Sequence, residues 1–253
     1  MIIDTSAYVG NWPFWPVPHM DSNGNGLVEI MDKYGIDKAV ITSMDGILYD
    51  DEMGNDLVFA AAERHGGRLL PAVTVSPLIV KRNSAAYLKK MIERGAKALK
   101  LFPFYHSFFL SVTNKKLEQI LKVAANYHLT VCIPIRLFMN WGLPAVSVSS
   151  IGELVKAYSE IHFLVENLNA GEFLPLVELA ESLDNLYLGT AALTRYRGVH
   201  DMTERLGGNR VVAGMSAPLQ YPNCGLLKVQ KAELEEDDLL KVLGENAAML
   251  FRV

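Results

Sequence analysis

The feature that most constrains this chain is an alternation, repeated eight times, of a short apolar or β-branched run with a charged stretch of helical period. The runs go from Ile2 to Tyr8, Lys38 to Ser43, Leu69 to Val75, Ala96 to Phe102, Thr130 to Arg136, His162 to Asn167, Leu186 to Ala191 and Val211 to Ser216. Strands separated by helical segments of this length pair in parallel, because a tight turn cannot bring a parallel strand back into register. The segments NDLVFAAAERHGG, AAYLKKMIERG and NKKLEQILKVAANYHL space their apolar residues at three and four, and the first two run into glycine. Eight such units favour closure into a (β/α)8 TIM barrel over an open, doubly wound sheet. At 253 residues, 50% hydrophobic and 21% charged, the chain has the size of one such barrel, and residues 1–253 are expected to form a single domain. No long Ser-, Pro- or Gly-rich stretch interrupts it.

Charge narrows the partners. A net charge of −4, with acidic and basic residues interspersed, gives neither nucleic acid nor an anionic membrane an electrostatic reason to bind. Cys132 and Cys224 are too few for a disulfide framework and lack CxxC spacing, so they are expected as free thiols in a reducing cytoplasm. The opening MIIDTSAY has no basic region ahead of an apolar stretch, and no run of about 18 apolar residues occurs; neither secretion nor a membrane span is expected.

In a barrel of this kind the chemistry sits at the C-terminal strand ends and the loops that follow. The strand assignment puts Ser6, Tyr8, Asp45, Lys100, Pro134, Arg136, Asn167, Arg195 and Ser216 there. Four segments around these positions carry a resemblance. IDTSAYVG resembles the IDxHxHxG opening of the amidohydrolase superfamily, GAKALKLFP its GxKxxP segment, GNRVVAGMSAP its GxDRVLFGSDxP strand, and LGENAAMLF its closing GxNAxxLF helix. The four occur in the family's order and cover nearly the whole chain. The branch they resemble is the amidohydrolase-related one, which includes small-acid decarboxylases and lactone hydrolases.

That resemblance implies a divalent metal held by imidazole and carboxylate, which lowers the pKa of a bound water. Position by position, this chain departs from it. The two strand-one histidines correspond to Ser6 and Tyr8, the strand-five histidine in TVCIPIR to Pro134, the strand-six histidine in FLVENLNAG to Asn167, and the strand-eight aspartate to Ser216. None of these is a usual ligand for such an ion. No metal and no other cofactor is therefore expected. His65, His128 and His162 belong to the opposite face and read as structural; His19, His106 and His200 fall in catalytic-side loops. None of the latter is matched with a second ligand at preorganising spacing, so they read as solvated loop residues rather than a rebuilt metal site.

What remains at the mouth is cationic and aromatic. Strand alternation turns Lys100 and Arg136 inward on neighbouring strands, where an ammonium and a guanidinium suit a small anionic ligand. The alternative is an internal ion pair with Asp4 or Glu166. The loop GNWPFWPVPHM sets Trp12 and Trp15 among prolines, either as a wall over a pocket or as a contact between subunits of a homo-oligomer. His106, Glu166 and Asp45 are the candidate acids and bases, with Tyr8, Asn167 and Ser216 beside the substrate. Two functions follow: a hydrolase or lyase acting without metal on a small carboxylated substrate, or a catalytically inactive homologue that binds a small anion or serves as a partner subunit. A closed pocket joining His106 or Glu166 to Arg136 favours the first; a mouth filled by the aromatic loops favours the second.

Overall fold

The computed structural model describes residues 1–79, 82–137 and 145–253. Eight strands form one sheet in sequence order, all neighbours parallel: β1 (Ile3–Val9), β2 (Lys38–Ser43), β3 (Leu69–Thr74), β4 (Ala98–Lys100), β5 (Thr130–Pro134), β6 (Phe163–Glu166), β7 (Leu186–Gly189) and β8 (Val211–Val212). Backbone bonds from Thr5 N to the Ala213 carbonyl (3.2 Å) and from Tyr8 N to the Ala217 carbonyl (2.8 Å) tie β1 to the chain around and beyond β8. The result is a (β/α)8 barrel. Around it run α1 (Asn25–Tyr34), α2 (Met44–Leu48), α3 (Asp51–Arg64), α4 (Ser84–Glu93), α5 (Lys115–Asn126), α6 (Val148–Ala157), α7 (Ala170–Glu181), α8 (Gly198–Leu206) and α9 (Pro222–Gln230). The chain ends in α10 (Glu236–Leu240), a wide π turn and α11 (Asn246–Phe251). Among the described residues no helix is long and apolar enough to cross a membrane.

Most strands are shorter than their apolar runs. Phe102, Asn167, Ala191 and Ser216 are buried yet lie past the last ladder pair of their strands, so the apolar signal continues where the hydrogen bonding stops. The β1–β2 register slips between Asp4 and Ala7. Such a bulge reverses side-chain parity. Ile3 therefore joins the cluster inside the barrel and Tyr8 the cluster above it, while Ala7 and Val9 pack with the helices.

Three apolar clusters frame the site. The largest lies between strands and helices, where Leu27, Met31, Leu117, Leu154 and Phe173 bury the inner stripes of their helices. A second fills the bottom of the barrel: Ile3, Val40, Leu70, Leu164 and Val212 are closed from below by Ala247, Leu250 and Phe251 of α11. The third caps the top with Tyr8, Met44, Ile47, Phe102 and Leu137, against which Trp12, Met20 and Leu219 pack. Between bottom and top sits a layer of polar side chains.

Candidate functional site

That polar layer begins with charge. The Lys100 ammonium lies 3.0 and 2.9 Å from the two Glu166 carboxylate oxygens and donates to the Thr5 carbonyl at 3.0 Å. Both side chains are sealed from solvent, at 0% and 1% exposure. Burial works to lower the lysine, but the facing Glu166 charge outweighs it and holds the ammonium above its ordinary range. Burial raises the Glu166 carboxyl, with Lys100 opposing. The thiol of Cys132, buried beside them, is pushed well up by the same desolvation.

One level higher, four of the positions that the sequence resemblance matched to metal ligands are joined to one another. Ser6 Oγ accepts from Ser216 N at 2.9 Å and lies 3.5 Å from Ser216 Oγ, which donates to Asn167 Oδ1 at 3.4 Å. Asn167 Nδ2 donates to the Tyr8 hydroxyl at 3.4 Å and to the Arg136 carbonyl at 2.9 Å. Pro134, in register with Glu166 at the end of β5, adds no side-chain donor or acceptor. Burial pushes the Tyr8 phenol up to about 12, so it stays protonated. Asn167 and Ser216 both have left-handed backbone, φ 57° and 53°. Asn adopts this readily; serine is strained there.

Asp4 fastens the network from below. Its carboxylate accepts from Ser6 N, Met215 N and Ala217 N at 3.0, 2.7 and 3.3 Å, and from Ser6 Oγ at 3.2 Å. Burial raises its pKa and those backbone donors pull against the rise. This donor set does not suit a divalent ion: hydroxyls, an amide and a proline are not its usual ligands, and the polar atoms among them are engaged with each other.

The two cations do not face one site. Lys100 takes the internal pairing with Glu166, whereas Arg136 turns outward to Glu172 in the first turn of α7, at 2.9 and 2.6 Å. The parity argument fails for Arg136 because β5 ends at Pro134, two residues earlier, and alternation lapses with the ladder. Glu172 is the partner that the sequence reading missed. Its signal was present: Asn169-Ala-Gly-Glu172 is a capping box, with Asn169 N donating to Glu172 Oε2 at 3.2 Å. The Arg136 hydrogen bonds hold the Glu172 carboxyl below its usual range.

The three candidate acids and bases are dispersed. Glu166 is committed to Lys100. Asp45 lies in the first turn of α2, where its Oδ2 accepts from Asn11 N (3.0 Å) and Ser43 Oγ (3.4 Å), holding the loop after β1 against β2. A Cβ at Gly10, φ 97°, would collide with this carboxylate, so the turn requires glycine. His106 places Nε2 3.0 Å from the Gly46 carbonyl, while its buried Nδ1 has no partner among the described residues. Burial lowers its pKa, against the Gly46 carbonyl.

Trp12 packs on the apolar cap and meets Phe14 and Trp15 edge to face, with centroids 5.1 and 5.6 Å apart. Trp15, 42% exposed, instead lines a cavity of about 430 Å³ with His19, Tyr34, Pro218, Gln220 and Tyr221. The inner face of the loop thus fills the mouth and its outer face walls a separate cavity. Trp141 and the rest of residues 138–144 lie outside the described residues.

The loop histidines do not converge. His19 pairs with Glu29 (3.4 Å), His106 with Gly46, and His200 lies on α8. His200 does have an i, i+4 partner, and His200, Asp201 and Glu204 are the one such acid–histidine group among the described residues, with ligand atoms within 4.8 Å. Arginines crowd it: Arg195 donates to Asp201 at 2.8 Å, and Arg197 lies 3.0 Å from the His200 ring, which places a second positive charge where a metal ion would sit.

No family model and no curated protein sequence matches the chain. Solved structures do match over its whole length. The 5-carboxyvanillate decarboxylase LigW of Sphingomonas paucimobilis superposes with a TM-score of 0.79 at 14% identity, covering 100% of this chain and 99% of that one. A 2,6-dihydroxybenzoate decarboxylase complexed with 2,6-dihydroxybenzoate gives 0.82 at 12% identity, with the same coverage. A dihydroxybenzoic acid decarboxylase of a Polaromonas species, with bound manganese and the inhibitor 2-nitroresorcinol, gives 0.80 at 13%, covering 99% and 96%. Identity this low carries the fold and nothing finer: the chain has the (β/α)8 architecture of the amidohydrolase-type decarboxylases.

Proposed function

We propose that this protein is a metal-free relative of the amidohydrolase-type decarboxylases that binds a small anionic molecule and does not run metal-dependent chemistry. One observation carries the reading. The positions matching the family's ligands are Ser6, Tyr8, Pro134, Asn167 and Ser216, and the four with polar side chains are hydrogen-bonded to one another. In such a site the imidazole and carboxylate ligands hold a cation with one position open, and the cation's charge polarises the water bound there. A neutral, mutually satisfied network under an apolar cap supplies neither the charge nor the opening. The carboxylates nearest this layer are likewise taken, Glu166 by Lys100 and Asp4 by backbone N–H groups. Small carboxylated aromatics are the ligand class to try first, since related folds act on them.

The test is to purify the chain, measure its zinc, manganese and iron, and assay decarboxylation of hydroxylated benzoates with and without added manganese. The expected result is no stoichiometric metal and no manganese-dependent turnover. A chelator-sensitive decarboxylase activity overturns the reading. A combined Ser6→His, Tyr8→His, Pro134→His, Asn167→His, Ser216→Asp variant that gains tight manganese binding would support it, by showing that only the ligands are missing.

A second reading, a lyase working without metal, is favoured by His106, whose unpartnered Nδ1 is positioned at the edge of the apolar cap beside Phe102 (ring centroids 6.3 Å). A neutral imidazole with a free nitrogen is a competent general base. Metal-independent turnover that disappears in His106→Gln would choose this reading.

A further inference from the structure

With Lys100 and Arg136 both committed to carboxylates, a different part of the surface gathers more cations than acids. A cavity of about 390 Å³ opens between the loop after β7, the start of α8 and the end of α9. Four cations line it, Arg195, Arg197, Lys228 and Lys231, against one acid, Glu233. In a chain of net charge −4 this is a local reversal of sign.

Lys228 is the distinctive member. It is largely buried, its Nζ donates to the Leu193 carbonyl at 3.0 Å, and it makes no ion pair among the described residues. An ammonium has three donors, so two remain for the cavity. Burial lowers this lysine to about 8, which is the response of a cation taken from water without a counter-charge. Arg195 is held by one terminal nitrogen to Asp201 at 2.8 Å; Arg197 is held by one to Glu233 at 3.2 Å, and its other terminal nitrogen lies 3.0 Å from the His200 ring. A guanidinium has five N–H donors, so each arginine retains donors after those contacts. Lys231 is exposed at the rim. The walls also carry Leu193, Val199 and Tyr196, which give an organic group apolar surface to rest on.

We propose that this cavity binds a phosphate group, free or carried on a small organic molecule, with Lys228 as its buried counter-charge. A dianion is favoured over a monocarboxylate because cations from both the segment before α8 and the end of α9 surround the space, and a tetrahedral anion offers acceptors in those directions. The site is separate from the barrel mouth, and binding there does not depend on what the mouth does.

The experiment uses the whole chain, at constant ionic strength, titrated with inorganic phosphate, phenyl phosphate, and benzoate as a carboxylate control. Calorimetry and the melting temperature read binding. Phosphate and phenyl phosphate should bind and raise the melting temperature, and benzoate should bind at least about tenfold more weakly. Lys228→Met should weaken phosphate by about tenfold or more, Lys228→Arg should retain most of it, and Lys116→Met on α5 should change nothing. Tighter binding of phenyl phosphate than of inorganic phosphate assigns the organic source; equal or weaker binding assigns the free ion. If Lys228→Met does not fold, Arg197→Ala serves as the second variant, with the same expected loss. The proposal is overturned if phosphate has no effect beyond that of matched chloride, if benzoate binds as well, or if the folded Lys228 and Arg197 variants bind as the wild type does.

Discussion

Two ion pairs in this molecule have similar contacts and opposite surroundings. Lys100–Glu166 and Arg136–Glu172 both engage two carboxylate oxygens, at 2.9–3.0 Å and 2.6–2.9 Å. The first is closed within the barrel at 0% and 1% exposure; the second sits at the rim at 15% and 19%. Contact distance therefore says little about what either contributes. Inside, each charge has lost its water and depends on the other, so breaking the pair leaves an uncompensated ion. At the rim, water can replace whichever partner is removed. The inner pair is a fixed element of the fold, and the outer one pins the loop after β5 to the start of α7.

The largest effect should come from breaking the inner pair. Glu166→Gln leaves the Lys100 ammonium facing a neutral amide, and urea unfolding should show a loss of about 3–5 kcal/mol. The double variant Lys100→Met, Glu166→Leu removes both charges and should recover most of that loss. If Glu166→Gln costs no more than Glu172→Gln, the contrast between the two pairs is wrong.

A smaller loss tests whether the neutral network above the pair is built as tightly. Ser6→Ala removes the acceptor of Ser216 N and one donor to Asp4, leaving a buried N–H without its partner. The expected cost is about 1–3 kcal/mol, with the circular dichroism of the fold retained. A neutral result would mean that water enters the layer, which would reopen the mouth as a ligand site. The outer pair comes next. Arg136→Met should cost about 1 kcal/mol, and the cost should shrink in high salt.

The barrel was legible because its signal is repeated: Val, Ile and Leu runs at regular separation can be satisfied by few topologies, and β2 ends at the residues read from sequence. Strand ends were less legible, since β8 has two ladder residues while burial continues through Ser216. The gathering of Ser6, Asn167 and Ser216 followed from their places at strand ends. Side-chain pairing did not, because partners 66 and 36 residues apart are chosen in three dimensions. Lys100 lies within its ladder, so parity predicted its direction; Arg136 lies beyond its own, and local capping by Glu172 decided where it went. Lys228 gave no sign in the sequence, where it is one lysine in an amphipathic helix.

The smallest effect concerns a buried imidazole at the edge of the same mouth, where the charges of Asp51 and Arg82 act in opposite directions. His106 has its pKa depressed below the ordinary 6.5 by burial, with the Gly46 carbonyl opposing. The folded state therefore favours the neutral ring. As pH falls through 6.5 the unfolded chain takes up this proton first, so between that value and the lower folded pKa the unfolded state binds more protons and stability falls with pH. Below the folded pKa both states are protonated and the loss levels off. His162 is depressed as well, chiefly by burial, and contributes a slope of the same sign. Urea midpoints measured between about pH 7.5 and 5.5 should thus decline for the wild type, and His106→Gln should decline less while keeping the part due to His162. An unchanged slope in His106→Gln would show that the imidazole exchanges protons with solvent freely in the folded state. The edge of the mouth would then resemble the hydrated rim around Arg136 more than the sealed layer around Lys100.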